Sequence, residues 1–458
     1  MIADTVIKNC NLVRPEGISS EGIAISDGKI IALADDAELP EAKKIIDAKG
    51  NHVLPGIIDN HTHFGGYFPL DEDIKTDSAA AVYGGITTVA NTIGIGHCQH
   101  KGSFTEVVDT WKEIQETNSY CDFVMSLVIN SDVQLSEIGM AADRWGICTF
   151  KIALAYKGQE AEQVGTIAGD DGTMYVAMEA IAKLGPPARL LLHCENIDII
   201  NRIRPRIKDK EGRNDLAAWT DSRPGWVEAL DILRAASIAK IIKAPIYIVH
   251  LSSAEGVDAV AKARTEGVDL IAETLPVFLT LTKYAPLGAL GKINPPLRDQ
   301  ASIEKLWEAI QSGLIQCIGT DNAPVKRAMK QDIWGAAPGL PSIENYLPIM
   351  LSEGVNKGRI TLEKLVQMCC VNNAKAMGIY PKKGIIRAGS DADLVVVDMN
   401  KKVRLSADKL HQIADFCIWE GWEVTGYPIL TMIRGNVVMQ DGKLLANQGI
   451  GQYLPRFV

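Results

Sequence analysis

Ile246-Tyr247-Ile248-Val249-His250-Leu251 is a short apolar run rich in β-branched residues. After Ser252-Ser253 it passes into Ala254–Thr265, where apolar positions recur at three- and four-residue spacing. The first part reads as a buried strand and the second as a helix covering it. The same unit recurs along the chain. Apolar runs at 57–63, 86–93, 123–129, 149–155, 189–194, 270–275 and 316–321 join the one at 246–251 to make eight, with helix-like stretches such as 104–116, 172–184 and 302–311 between them. Strands alternating with helices call for a parallel sheet, and eight units in series call for an α/β fold of the (β/α)8, TIM-like barrel kind. The competing architecture is an open doubly wound sheet. No Gly-x-Gly-x-x-Gly follows the first run, which counts against its nucleotide-binding form.

The two ends of the chain read differently. Residues 2–50 and 384–440 show strand-like alternation punctuated by turn glycines, as in Ile23-Ala24-Ile25-Ser26-Asp27-Gly28-Lys29-Ile30-Ile31 and Ala392-Asp393-Leu394-Val395-Val396-Val397-Asp398. Neither end carries enough strands to bury a sheet face alone, so the two are expected to pair into one small β-sandwich beside the barrel. The expected division is therefore 1–52 and 384–440 for the two parts of the sandwich, 53–383 for the barrel and 441–458 for a tail. The longest connection, 195–243, holds Arg204, Pro205, Trp219, Arg223, Pro224 and Trp226; it suits either a pocket cover or a subunit contact.

Composition narrows the function. A chain of 458 residues with 47% hydrophobic and 22% charged residues has material for a large core plus an accessory domain, and is not disordered. Its formal net charge of −9, without a basic run, repels phosphate polymers and anionic lipid, so neither nucleic acid nor membrane is an expected partner. Asp4 interrupts the place where a signal peptide would be apolar, and no segment approaches the ~18 apolar residues of a membrane span. Nine scattered cysteines without a Cys-x-x-Cys pair suit reduced thiols. The expectation is a cytoplasmic protein.

Four of eight histidines fall at the C-terminal ends of expected barrel strands: His61 and His63, then His193, then His250. Asp321 closes the eighth strand. Strand ends form the functional face of such a barrel, and residues two apart share a side, so His61 and His63 point inward together. A lone strand-end histidine is commonly a hydrogen-bonded structural residue, but imidazoles converging with a carboxylate are what a borderline divalent metal such as zinc requires. Lys151 lies inside the fourth run, Thr149-Phe150-Lys151-Ile152-Ala153-Leu154-Ala155. Burial and nearby positive charge push a lysine towards its free amine, which can take up carbon dioxide as a carbamate and so bridge two cations. The alternative is a lysine that snorkels to the barrel mouth.

Pro55-Gly56-Ile57-Ile58-Asp59-Asn60-His61-Thr62-His63, Gly85-Ile86-Thr87-Thr88-Val89, Phe150-Lys151, His193-Cys194-Glu195-Asn196, Tyr247–Ser253 as a block, Asn294-Pro295-Pro296-Leu297-Arg298 and Gly389-Ser390-Asp391-Ala392-Asp393 together resemble the amidohydrolase superfamily. The nearest likeness is to its hydantoinase/dihydropyrimidinase branch, over essentially the whole chain. The resemblance implies two divalent ions, usually zinc, with His61, His63 and Asp321 on one, His193 and His250 on the other, and Lys151 carboxylated on its amine (N6-carboxylation) between them. It further implies hydrolytic ring opening of a small cyclic amide or ureide by a metal-bridging hydroxide, with Asp321 as the proton shuttle. Tyr156 is the implied oxyanion donor, its alternative being an aromatic packed at the rim, and Asn294 the implied ureide anchor. A homodimer or homotetramer is the implied assembly.

Gly65 stands where dihydroorotases of the superfamily carry a carboxylate-gripping arginine. The loop from Phe64, with Tyr67 and Phe68, is expected to shape a pocket for an apolar ring substituent, with Phe64 touching the substrate. Two positions depart from the pattern: Asn322 where histidine is common, and Pro338, which offers no N–H near a usual substrate contact. The alternatives are an allantoinase or other cyclic-imide hydrolase, a same-fold deaminase, and a non-catalytic dihydropyrimidinase-related scaffold that should have lost ligands. Histidines 52, 97, 100 and 411 match no ligand position.

Overall fold

The computed structural model describes residues 2–166 and 168–457. The outermost residues of the expected end segments, Met1 and Val458, lie outside them. Eight parallel strands follow one another around a barrel in sequence order: Ile57–Thr62, Ile86–Ile93, Asp122–Val128, Thr149–Ala153, Arg189–His193, Ile246–Ile248, Leu270–Thr274 and Cys317–Ile318. Closure between the last and the first comes from a parallel bridge, Thr62 to Asn322, and from the Asp59 carboxylate, which accepts from Thr320 N at 3.0 Å and Thr320 Oγ1 at 2.5 Å.

Strand alternation divides the core. Val89, Phe123, Leu190, Leu192, Ile246 and Ile248 belong to the shell packed under the helices, whereas Ala90, Val124, Leu191, Tyr247 and Cys317 form a separate cluster. All positions of Ile86–Ile93 are buried, as expected for a parallel strand covered on both faces. Helices Asp171–Leu184 and Ala254–Thr265 lie where their spacing predicts. The expected helix 104–116 is instead a 3₁₀ turn, Phe104–Glu106, followed by Val108–Asn118. Ser103 caps the turn through Thr105 N, and Val107, at φ −132°, breaks the helical path. The connection 195–243 includes the long helix Gly225–Ile242, which packs on Ala254–Thr265 as a regular barrel helix.

Both ends contribute to the sandwich. One sheet is built only from Lys29–Ala34, Gly22–Ser26, Ala3–Lys8 and Ala42–Asp47. The other has seven strands and joins the ends where Leu394–Arg404 runs antiparallel to His52–Pro55, with Val396 opposite Val53. Ile7, Leu12, Ile25, Val53, Val396 and Met432 form the core between them. Lys383 Nζ ties this part to the barrel by reaching Asp122 Oδ2 on the third barrel strand at 2.5 Å, Asp393 Oδ2 at 2.6 Å and Asp391 Oδ2 at 2.9 Å. The tail returns beneath the barrel, where Tyr453 bridges to Phe123 and the buried Arg456 guanidinium donates to Thr149 Oγ1 at 2.9 Å. Among the described residues, no helix is long and apolar enough to cross a membrane.

Candidate active site

The C-terminal ends of strands one, four, five, six and eight bring His61, His63, Lys151, His193, His250 and Asp321 to one cavity of about 530 Å³. All but His61 line it directly, and His61 lies behind Lys151 and Asp321. His250 and Asp321 adopt φ values of 41° and 51°, a left-handed conformation that costs non-glycine residues energy and persists only where the surroundings impose it. At His250 the constraint is visible: its N–H donates to Glu273 Oε1 at 3.2 Å.

Hydrogen bonds orient the first two imidazoles. His63 Nδ1 lies 2.9 Å from the Thr92 carbonyl oxygen, which only accepts, so Nδ1 carries the proton and Nε2 presents a lone pair. His61 Nδ1 faces Glu273 Oε1 at 3.0 Å with the same result. The two Nε2 atoms are 3.2 Å apart and stand 3.3 and 3.2 Å from Asp321 Oδ1. Burial, reinforced by Lys151, pushes His61 down to about 3 and His63 to about 4, leaving both neutral at pH 7 as metal ligands must be. Burial opposes the Asp321 charge, but the surrounding imidazoles outweigh it and hold its carboxyl far below the ordinary carboxylate range. Two lone pairs and a carboxylate oxygen therefore share one focus that attracts a cation.

Lys151 Nζ enters that focus at 2.7 Å from His61 Nε2 and 3.1 Å from His63 Nε2. Burial pushes its amine down to about 8 against the pull of Asp321 and Glu273, so about one amine in ten is uncharged at pH 7, far more than for a solvated lysine. On the far side, the His193 and His250 rings meet edge to face at 4.3 Å. His193 Nε2 is 2.8 Å from Glu195 Oε2, which leaves Nδ1 for a ligand. Burial works against the Glu195 charge, but Arg223, whose Nη1 donates at 2.9 Å, holds that carboxyl at about 2. His250 Nδ1 is buried with no hydrogen-bond partner among the described residues. An orphaned imidazole nitrogen, an amine near neutrality and a three-ligand focus fit a pair of divalent metals.

Tyr156 and Asn294 also line the cavity. Burial holds the Tyr156 hydroxyl well above its ordinary value, so it remains a donor, and its ring lies 5.2 Å from that of His193. Asn294 Nδ2 donates to Glu160 Oε1 at 2.9 Å, while its buried Oδ1 has no partner among the described residues.

The fold and this rim of candidate metal-holding groups are those of a (β/α)8 hydrolase. The chain belongs to the amidohydrolase family, whose profile matches residues 186–438. It is 34% identical to the L-hydantoinase of Paenarthrobacter aurescens over 472 aligned positions, covering 99% of this chain and 98% of that one. It is 33% identical to the D-hydantoinase of Geobacillus stearothermophilus, covering 98% and 96%. The solved structure of L-hydantoinase (dihydropyrimidinase) from Arthrobacter aurescens superposes with a TM-score of 0.92 at 33% identity, over 99% of this chain and all of the other.

One expected substrate contact is corrected. Phe64 is only 1% exposed, packs in the barrel's main hydrophobic cluster and does not line the cavity; Tyr67, three residues on, does. The loop turns at Gly65, φ 84°, where a Cβ would come within 2.6 Å of Cys98 Sγ, so no side chain fits there. Asn322 faces away from the cavity: its Oδ1 accepts from Ser342 N at 2.9 Å, and its main-chain oxygen accepts from His63 N at 2.8 Å. Pro338 lines the cavity. His97 is exposed, His100 lies 3.0 Å from Glu106, and His411 pairs with Glu344. Sequence reading missed the roles of Glu273, Arg223 and Glu160. A carboxylate inside the apolar run 270–275 was the available signal for Glu273; Glu160 and Arg223 are brought together only by tertiary packing.

Proposed function

We propose that this cavity hydrolyses a cyclic amide or ureide of the hydantoin or dihydropyrimidine type. His61, His63 and Asp321 would hold one divalent ion and His193 and His250 another, most simply zinc, with Lys151 carboxylated on Nζ between them. The observation that carries the proposal is that a deeply acidic carboxylate, at 3.3 and 3.2 Å, and a buried amine, at 2.7 and 3.1 Å, converge on the same two imidazole lone pairs. When bound, such ions acidify water into a nucleophile at neutral pH and polarise the carbonyl to be attacked. Carboxylation of Lys151 replaces a cation with an anion, which offsets much of the metals' charge and leaves a small positive remainder to favour an oxyanion.

Asp321 is ionised and faces the cavity, so it accepts the proton released by the attacking water and returns it to the departing ring nitrogen as the C–N bond breaks and the C–O bond forms. Tyr156 donates its O–H to the oxygen on which charge develops. Asn294, its amide nitrogen already committed to Glu160, presents Oδ1 to a ring N–H. Ile95, Val128, Ala153 and Val164 supply an apolar wall that strengthens each of these interactions. The nine cysteines, all buried and unpaired, support a reducing, cytoplasmic location. Assembly as a dimer or tetramer is part of the same proposal and is read by sedimentation.

The test incubates zinc- and bicarbonate-loaded protein with hydantoin, dihydrouracil, allantoin and simple cyclic imides while measuring metal per chain. Ring opening that Asp321→Asn abolishes is expected. Two bound ions without hydrolysis of any of these rings would overturn the proposal.

A further inference from the structure

A second cleft of about 770 Å³ adjoins the catalytic cavity and is open to solvent. Its wall is shared: Asn294 lines the first cavity and donates to Glu160, which lines the second. Trp219 and Trp334 meet there edge to face, their ring planes 65° apart and their centres 5.9 Å apart. Three cations gather on the Trp219 indole: Lys292 Nζ 4.0 Å from the ring centre, the Arg223 guanidinium at 4.9 Å and that of Arg204 at 5.3 Å.

Their partners do not balance them. Arg223 is used by Glu195 and Glu160, and Arg204 Nη2 donates to Glu160 Oε2 at 2.7 Å. Arg204 Nε is buried with no partner among the described residues. Lys292 is 1% exposed, yet its ammonium makes one hydrogen bond, to the Trp334 carbonyl oxygen at 3.1 Å, beside its contact with the indole face. The three basic side chains thus face the two buried carboxylates of Glu160 and Glu195, while Glu162 and Asp332 are exposed, where water screens them. Burial, opposed by Glu160 and Asp332 and helped by Arg223 and Arg204, pushes Lys292 down to about 7, so an anion entering the cleft would draw its amine back to the charged form. The half-buried Trp334 indole in the cleft wall also suits the methylene arm of a small organic acid better than a bare inorganic ion.

We propose that this cleft is a carboxylate-binding subsite in which Lys292 and Arg204 hold a small organic acid beside Trp334. Two sources share that chemistry: a carboxylate carried on a substituent of the ring substrate, or the carboxylate that ring opening itself creates. The choice of source rests on the hydrolase reading above; the subsite itself does not.

The test titrates succinate calorimetrically into the metal-loaded protein and its Lys292→Gln and Arg204→Gln variants, each checked for an intact melting transition. One saturable site is expected in the wild type, weakened at least about tenfold in either variant, as loss of a charge-assisted bond implies. The two variants serve as alternates, so one that fails to fold leaves the other to decide. No saturable binding, or unchanged affinity in the folded variants, would overturn the subsite. A wild-type preference for 5-(carboxyalkyl)hydantoins over alkyl analogues of equal length, lost in Lys292→Gln, assigns the carboxylate to the substrate. Product inhibition by an N-carbamoyl amino acid, lost in the same variant without any such preference, assigns it to the product. Succinate binding without hydrolysis of any ring counts against the hydrolase reading alone.

Discussion

Glu273→Gln tests whether the metal focus is set by the groups behind it. Glu273 accepts from His61 Nδ1 at 3.0 Å and His250 N at 3.2 Å through Oε1, and from Tyr247 Oη at 2.6 Å through Oε2. Glutamine keeps the volume and one acceptor oxygen. Burial raises the Glu273 carboxyl to about 7, so above that pH glutamine removes a full charge behind His61; it also turns the acceptor of Tyr247 into a donor, while Tyr247 already receives Asn60 Nδ2 at 3.2 Å. Replacing a charge-assisted bond by a neutral one costs about 1–1.5 kcal/mol, and the bonds to His61 and Tyr247 are both affected. The loss felt at His61 lowers the basicity of Nε2 and frees the ring to turn. Partners of this kind typically change metal affinity by about 10–100-fold. The assay is chelator competition for zinc on folded protein, with kcat/KM on the best ring substrate measured in parallel. Tyr247→Phe keeps the Glu273–His61 contact and should lose less than about tenfold, at the low end of such effects. A folded Glu273→Gln protein that holds zinc as tightly as wild type would refute the idea that this carboxylate orients the ligand.

Four further outcomes are expected. Asp59→Ala should lower the unfolding temperature in calorimetry, because it takes the acceptor from Thr320 N, Thr320 Oγ1 and His61 N where strand eight closes on strand one, at about 1–3 kcal/mol for each group left unpaired. Tyr156→Phe should reduce kcat by about 10²–10³-fold with KM little changed, as removal of an oxyanion donor does; an equal rise in KM instead would make Tyr156 a binding residue. Chelation should lower the melting temperature and zinc with bicarbonate should restore it, the bound metal adding about 4 kcal/mol of stability per site when it is a thousandfold above its Kd; an unchanged melt would count against native-state metal binding. Phe64→Ala should destabilise by about 3–5 kcal/mol without altering the relative rates on phenyl- and methyl-substituted rings, whereas Tyr67→Ala should alter those rates.

The eight-unit repeat was legible from the chain alone, and so were the residues that gather at the strand ends. Parallel strands buried on both faces must be continuously apolar, so a histidine towards the C-terminal end of each of 57–63, 189–194 and 246–251 stands out against its run, as does Lys151 within 149–155. Strand parity then points His61 and His63 the same way without any knowledge of the neighbours. Phe64 shows the limit of that reasoning. Chain proximity to His63 suggested a pocket residue, but the loop turns at Gly65, carries Phe64 into the core and delivers Tyr67 to the cavity instead. The supporting groups were equally out of reach: Glu273 meets His61 across 212 residues, and Arg223 meets Glu160 across 63. Local periodicity records which way a side chain leaves its own strand. Which distant carboxylate orients an imidazole, or which three cations crowd one indole, depends on how loops of unrelated sequence pack over the barrel mouth, and only the tertiary structure decides that.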